Sequence, residues 1–573
     1  MMQLVVLFCL LATSLGAQPG RRPPTRGPQS RTSPQANTAT SATRPEDLAA
    51  LTGSVRDKST GEPLRKATIT LYSLNARAAS RGPARPATTT TDAAGNYVFT
   101  GIEPGRYRLS ARRNGYVPRS FGAGSSGTPV TLAPAQKLGS IDFQLVPHAV
   151  VTGRVDDEDG DPVVHASVQL FRYVYTDRGK TLRTAGAAQT NDLGEYRIFG
   201  VGPGKYYLQA AYRRGPVDTG PARPGEADED YVPVYYPAAT SIESATPIEI
   251  AAGAAARGVD VRLSKARTYR VAGRVTGGPS EGRPGSVMLL RRATPGAGYF
   301  EEQRFGGRGS SWNSRTGAFE IRNITPGSYT LIARSDRGRE ERWSASVPIE
   351  IGNADLTGLD LALQLSQPVT GAVRIEGEST VDLSRLRIAF ADPGGRGGAS
   401  GGYGEVDAEG RFEVRGAGAG AFDVNIFPMP AGHYLKAVKM GERQLDGNTL
   451  DLPGGAPMSG IEIVLSATAA TIEGVAVDRR GEPAAGASML ILPPANDPQR
   501  DRRQFRATAD QNGHFQISGI PPGDYRVYAF TGAEDGEDRD PDLIAKFESD
   551  SEKITLKDSA REAKQVKAIA LDQ

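Results

Sequence analysis

The stretch DAAGNYVFTGIEPGRYRLSA, residues 92–111, decides the fold because the chain repeats it. NDLGEYRIFGVGPGKYYLQA begins at Asn191 and DQNGHFQISGIPPGDYRVYA at Asp510, with looser copies at Ser314 (SRTGAFEIRNITPGSYTLIA) and Asp407 (DAEGRFEVRGAGAGAFDVNI). In the first copy Tyr97 and Phe99 alternate with polar or small residues, and Tyr107, Leu109 and Ala111 alternate with Arg108 and Ser110. A period of two is that of a strand with one face buried. Between the two strands, Pro104 presets the backbone for a tight turn and Gly105 tolerates a positive φ. Gly95 supplies an earlier turn for the same reason. The phrase therefore reads turn, strand, turn, strand. The aromatic after the second turn (Tyr107, Tyr206, Tyr329, Phe422, Tyr525) is read as core, like the tyrosine that hydrogen-bonds at a sandwich corner.

The copies are spaced as domains. Their first glycines fall at Gly95, Gly194, Gly317, Gly410 and Gly513. Each has an upstream companion (LTGSV, VTGRV, VAGRV, VTGAV, IEGVA) whose glycine lies 39 to 44 residues earlier, at Gly53, Gly153, Gly273, Gly371 and Gly474. Four units close on similar strands, IDFQL, VDVRL, LDLAL and IEIVL, and the fifth on VKAIAL. Units of about a hundred residues are the size of single domains. Short strands with frequent turns predict an all-β chain, a tandem array of about five Ig-like β-sandwich domains. Only 8 to 10 residues separate a closing leucine from the next opening glycine, which predicts a semi-rigid rod. The boundaries expected are 48–147, 148–265, 266–366, 367–467 and 468–573 for the five sandwiches.

Two segments precede them. In MMQLVVLFCLLATSLGAQ the apolar run from Leu4 to Ala12 has signal-peptide length and is too short to span a bilayer, so residues 1–17 are expected to be removed on secretion. Residues 18–47, rich in Pro, Arg, Ser and Thr, are expected to form a disordered tether. The only cysteine, Cys9, lies in the leader, so the mature chain offers no disulfide, cysteine nucleophile or thiolate metal site. With 68 basic and 65 acidic residues the net charge is +3, which argues against a dedicated nucleic-acid binder.

Chemistry-bearing motifs are sparse. His148, His165, His433 and His514 have no metal-ligand spacing and are read as surface residues. GVGPGK at Gly200 is the repeated turn and lacks the phosphate-loop spacing. The acidic loop Asp156–Asp161 places Asp157, Asp159 and Asp161 around a glycine turn, an arrangement able to hold a structural Ca²⁺, with a solvated hairpin as the alternative. A second acidic cluster runs from Glu534 to Asp542. Aromatics outside the phrase, Tyr231, Tyr235 and Tyr236 in DYVPVYYPAAT and Trp343, are candidates for stacking on sugars, against the alternative of local packing. NGYVPRSFGAG, with Tyr116 and Phe121, stands at the matching place in the first unit.

The openings GSVRDKSTGEPLRKATITLY, GRVDDEDGDPVVHASVQLF and GVAVDRRGEPAAGASMLIL, each followed by the repeated phrase, resemble the carboxypeptidase regulatory-like domain, a transthyretin-like β-sandwich. Units three and four keep the phrase without the Gly-Glu-Pro or Gly-Asp-Pro piece. The resemblance carries no peptidase activity, since the catalytic zinc domain that accompanies such a module has no counterpart in the sequence. It implies a secreted, periplasmic or cell-surface bacterial protein without cofactor. The expected role is a non-enzymatic spacer, adhesion or binding array, with a polysaccharide or a cell-surface protein as partner. Starch-binding modules share the superfold, which makes a carbohydrate-binding protein the alternative, and an accessory subunit of a secreted hydrolase a third reading.

Overall fold

Each domain is organised around a strand whose central glycine faces the first aromatic of the repeated phrase. The computed structural model describes residues 44–571 apart from the segments 75–85, 123–126, 177–178, 213–228, 279–284, 292–307, 338–340, 392–400, 453–455, 498–499, 501–502 and 534–535 and residues 419 and 446. The expected leader and most of the tether lie outside the described residues. The opening strands are Ala49–Asp57, Ala149–Asp156, Tyr269–Thr276, Val369–Glu376 and Ala470–Val477. Each pairs antiparallel with the first strand of its phrase, in registers that set Gly53 opposite Tyr97, Gly153 opposite Tyr196, Gly273 opposite Phe319, Gly371 opposite Phe412 and Gly474 opposite Phe515. On its other side each pairs parallel with the strand that closes the domain.

The glycine has a steric reason. A Cβ at Gly53, Gly153, Gly273, Gly371 or Gly474 would collide with the backbone carbonyl of Ile141, Val259, Leu359, Ile461 or Lys564 respectively. In the first two domains the facing tyrosine takes up that carbonyl: Tyr97 donates to Ile141 O at 2.6 Å and Tyr196 to Val259 O at 2.6 Å. The other three have phenylalanine there and no such bond.

The two strands of the phrase belong to different sheets. The second strand, such as Gly105–Arg112 or Gly523–Thr531, pairs with Thr68–Ser73 or Ser488–Leu492 in the opposite sheet. The turn between them is thus a sandwich corner. Its glycine takes φ +150° at Gly105, +144° at Gly204, +151° at Gly327, +134° at Gly420 and +150° at Gly523. The tyrosine that follows is buried, and its hydroxyl donates to the carbonyl four residues back. The four bonds run from Tyr107 to Glu103, Tyr206 to Gly202, Tyr329 to Thr325 and Tyr525 to Pro521, at 2.6 to 2.9 Å. Phe422 fills the same corner in domain four, stacked on Phe390. The first turn of the phrase is held by an Asp or Asn whose side chain accepts backbone N–H groups ahead of it, at Asp92, Asn191, Asn313, Asp407 and Asp510.

Among the described residues, five principal apolar clusters fill the sandwiches, each confined to one stretch of chain: Ala49 to Leu145, Ala149 to Leu263, Tyr269 to Leu363, Val369 to Leu465 and Ala470 to Val566. Domains two and five carry a second, smaller cluster. In domain two it is Phe171, Leu182, Tyr235 and Ile242. In domain five Leu490, Leu492, Tyr528 and Phe530 receive Ile544 from the helix Pro541–Lys546. The described part of the second acidic cluster forms the short 3-10 helix Glu537–Arg539 and the start of the helix Pro541–Lys546. Asp540 caps that helix through Asp542 N–H at 3.1 Å, and buried Asp538 accepts the Ser488 hydroxyl at 2.6 Å and pairs with Arg506 at 3.2 Å.

A simple rod would bring only successive domains together, and here the expectation needs correcting. Thr131 of domain one accepts at its carbonyl from Gln511 Nε2 (2.8 Å), donates its amide to Gln511 Oε1 (2.9 Å) and donates its hydroxyl to Asp510 Oδ2 (2.8 Å). Gly536 of domain five lies against the Tyr175 carbonyl of domain two, and Asp540 is among the groups that raise the Tyr175 phenol. Domain five thus touches domains one and two as well as its neighbour in sequence. Asp510 is 5% exposed, whereas the matching Asp92 and Asn191 are exposed.

Two outcomes follow from this geometry. Gly153→Ala drives a methyl into the Val259 carbonyl and is expected to destabilise domain two by about 1–3 kcal/mol, read as faster hydrogen exchange across its opening sheet under urea. Gln511→Ala removes both side-chain partners of the Thr131 backbone, so the Thr131 amide is expected to exchange faster while the Tyr107 corner keeps its protection.

Candidate functional site

The polar cluster best defined by the fold recurs in domains one and two. The residue after the opening strand of domain two, Asp157, is buried, and its Oδ1 accepts the backbone N–H groups of Asp159 (3.1 Å) and Asp161 (3.0 Å). Its Oδ2 accepts the Tyr231 hydroxyl at 3.0 Å, with Lys265 Nζ at 3.9 Å. That ammonium also lies 5.3 Å from the centre of the Tyr231 ring, and Tyr212 packs edge-on against the ring at 5.5 Å. Domain one repeats the arrangement. Asp57 accepts Ser59 and Thr60 N–H at 2.7 and 3.0 Å and the Tyr116 hydroxyl at 2.9 Å, and the Arg113 guanidinium stands 5.2 Å from the Tyr116 ring centre. Asp478 makes the same turn in domain five, accepting from Arg480 and Glu482 N–H.

The electrostatics separate the two partners. Burial works to raise the Asp157 carboxyl, but hydrogen bonds from Asp161 N–H, the Tyr231 hydroxyl and Asp159 N–H, together with Lys265, hold it below the ordinary 3.8. Burial, followed by the hydrogen bond to Asp157, pushes the Tyr231 phenol up to about 12. Asp57 and Tyr116 shift in the same directions, burial again being the first influence on each. The proton therefore stays on the tyrosine and the charge on the carboxylate throughout the neutral range. A general acid or base works best with a pKa near the operating pH, and neither group has one. The pair ties the loop after the opening strand to a segment 59 residues away in domain one and 74 residues away in domain two.

The three calcium candidates, Asp157, Asp159 and Asp161, are placed differently from one another. Both Asp157 oxygens are taken by internal donors, and Asp159 and Asp161 are exposed. Among the described residues no group of three or more His, Cys, Asp or Glu side chains is arranged to hold a metal ion.

The aromatic candidates are also differently placed from a sugar-stacking rim. Tyr235 is 2% exposed and belongs to the second cluster of domain two, which corrects its reading as a rim residue. Tyr231 and Tyr236 are half-buried against the main core of domain two, Tyr231 with its hydroxyl bound to Asp157. Trp343 is half-buried against the core of domain three, opposite Ser335 and Leu365 in the sheet. The histidines divide. His165 and His514 are exposed and His148 half-buried, but His433 is 6% exposed, a correction to its reading as a surface residue. Its Nδ1 faces the Ala431 carbonyl at 2.9 Å and its Nε2 the Ser379 hydroxyl at 2.9 Å. A carbonyl only accepts, so Nδ1 carries a hydrogen, and in the neutral ring Nε2 accepts from the Ser379 hydroxyl.

Comparison with known proteins agrees with a repeated β-sandwich chain. Residues 50–146 match the carboxypeptidase regulatory-like domain family, and residues 479–537 match polysaccharide lyase family 4, domain II. No curated protein matches the chain. Among solved structures, the Streptococcal ancillary pilin is 11% identical, with 52% of this chain and 99% of that one covered and a TM-score of 0.18. GBS52, the minor pilin of Streptococcus agalactiae, is 14% identical over 38% of this chain and 96% of that one, TM-score 0.22. The Bacillus anthracis TIE protein is 11% identical over 74% of each, TM-score 0.15. At such identities and scores, what those proteins do stays with those proteins.

The acid behaviour of domain two follows from the depressed Asp157 carboxyl. A folded-state pKa below the unfolded value contributes stability that is complete above that value and is lost as pH falls through the folded pKa. Acid unfolding of domain two is therefore expected to steepen below the ordinary 3.8 of the group, and Asp157→Asn to flatten that dependence while lowering stability at pH 7. An unchanged acid profile in circular dichroism would remove the role given to this carboxylate.

Proposed function

We propose that the chain is a secreted, non-enzymatic array of β-sandwich domains that acts outside the bacterial cell as a spacer, adhesion or binding module. The observation that carries this reading is where its polar groups go. Asp57, Asp157 and Asp510 hold turns, Tyr116 and Tyr231 strap loops to the sandwich, and Asp510 and Gln511 join domain five to domain one. Side chains that could do chemistry are thus engaged in holding a scaffold. The regulatory-like domain matched by residues 50–146 is a non-catalytic family, which is in keeping with this. No helix among the described residues is long and apolar enough to cross a membrane. The apolar run from Leu4 to Ala12, followed by small residues, supports export.

Fractionation of a bacterial host expressing the full chain tests the proposal. The expected result is a chain outside the cytoplasm, shortened by the leader, that binds isolated cell envelopes or their polymers saturably. Retention in the cytoplasm with Met1 intact would overturn export, and turnover of peptide or glycoside substrates by the purified chain would overturn the non-enzymatic reading.

A further inference from the structure

A cavity of about 410 Å³ opens at one end of the second sheet of domain one, lined by Arg65, Lys66, Thr68, Arg112, Arg113 and Asn114. Its walls come from two segments that the sheet brings together, since Thr68 and Arg112 are cross-strand partners. Four of the six residues are cations and none is a carboxylate. Among the described residues, none of the four cations is ion-paired to a carboxylate. Arg65, Lys66, Arg112 and Asn114 are exposed at the mouth. Arg113 is held from behind: it lies over the Tyr116 ring, whose hydroxyl is tied to Asp57. The tyrosine–aspartate strap described above thus fixes one wall of the cavity.

The fold does not require this charge. The cross-strand pair Thr68 and Arg112 corresponds to Ser167 and Ala211 in domain two and to Ser488 and Phe530 in domain five. Lys66 has a left-handed backbone, φ +58°, and the matching His165 (+61°) and Gly486 (+74°) share it. The backbone conformation therefore belongs to the turn, while the cation belongs to domain one. Four like charges around one hollow repel each other, and anionic groups placed among them relieve that repulsion.

We propose that this cavity binds an acidic polysaccharide, a chain whose sugar units carry carboxylate or sulfate groups. The lining selects that class. All six side chains are polar or charged and none is an apolar residue, so the hollow suits a polar ligand better than a lipid tail or the apolar side chains of a peptide. Acidic sugars present hydroxyls and oxyanions, which match the Thr68 hydroxyl, the Asn114 amide and the four cations. Guanidinium groups accept carboxylate and sulfate through paired N–H donors. The volume lies within the range of about 300–1,000 Å³ usual for binding pockets. This inference rests on the extracellular reading above. The fractionation experiment tests that reading separately, so a failure of export and a failure of polymer binding are told apart.

The test uses the full mature chain, with the basic segment 18–47 retained, in affinity electrophoresis and calorimetry. Probes are polygalacturonate, a sulfated galactan, neutral dextran and inorganic sulfate. Wild type is expected to bind one or both acidic polymers, to ignore dextran, and to lose affinity as salt screens the contacts. Comparing the two acidic polymers shows whether carboxylate or sulfate is preferred. Arg65→Ala with Arg112→Ala, both exposed and so harmless to folding, is expected to weaken binding about tenfold or more. Substituting Arg21, Arg22, Arg26 and Arg31 by Ala is expected to leave most of it. Binding unaffected by the first variant, equal binding of dextran, or inorganic sulfate binding as tightly as the polymers would each overturn the proposal.

Discussion

The close approach of three strands at one glycine governs each sandwich. The opening strand lies between its antiparallel and parallel neighbours, and at Gly53, Gly153, Gly273, Gly371 and Gly474 a carbonyl in or just before the closing strand stands where a side chain would be. The space left by the missing Cβ is what lets that backbone and the facing aromatic crowd together. In two domains a tyrosine hydroxyl satisfies the intruding carbonyl, and in three a phenylalanine only packs beside it. Everything else in the domain is arranged from this seam: the phrase leaves it, turns the corner and enters the opposite sheet.

The fold was legible because its constraints are local and repeated. Alternation in YVF and YRL marked strands, and the Pro-Gly turn and its following tyrosine marked the corner. The companion glycine was visible as a spacing, but its steric purpose was not, because the carbonyl it admits belongs to the segment that closes the domain much later in the chain. The short helix Pro541–Lys546 was hidden for another reason. Its acidic surroundings read as a solvated loop, and only the burial of Ile544 and Asp538 against the second sheet explains it.

Functional residues were less legible. DYVPVYYP and DDEDGDP each suggested a separate site, one for sugars and one for calcium, and the structure joins them into a single internal strap through Tyr231 and Asp157. Pairings across dozens of residues leave no trace in a local pattern. The repetition of YVP in the first two units was the available signal, since it pointed to a structural part. His433 shows the same limit: nothing near it in sequence marks the Ser379 hydroxyl that buries its ring. The cation hollow of domain one was invisible because Arg65 and Arg112 become neighbours only through the sheet.

The bonds between Thr131 and the Asp510–Gln511 turn have a consequence for the chain's biosynthesis. Their partners lie 379 and 380 residues apart. A ribosome adds about 5–20 residues per second, and domains fold in order as they emerge. Domain one can complete its own core while its edge near Thr131 waits tens of seconds for its last partner. During that interval the edge strand Val130–Leu132 faces whatever else is near, so the order of the domains along the gene sets how long that edge is left without Gln511.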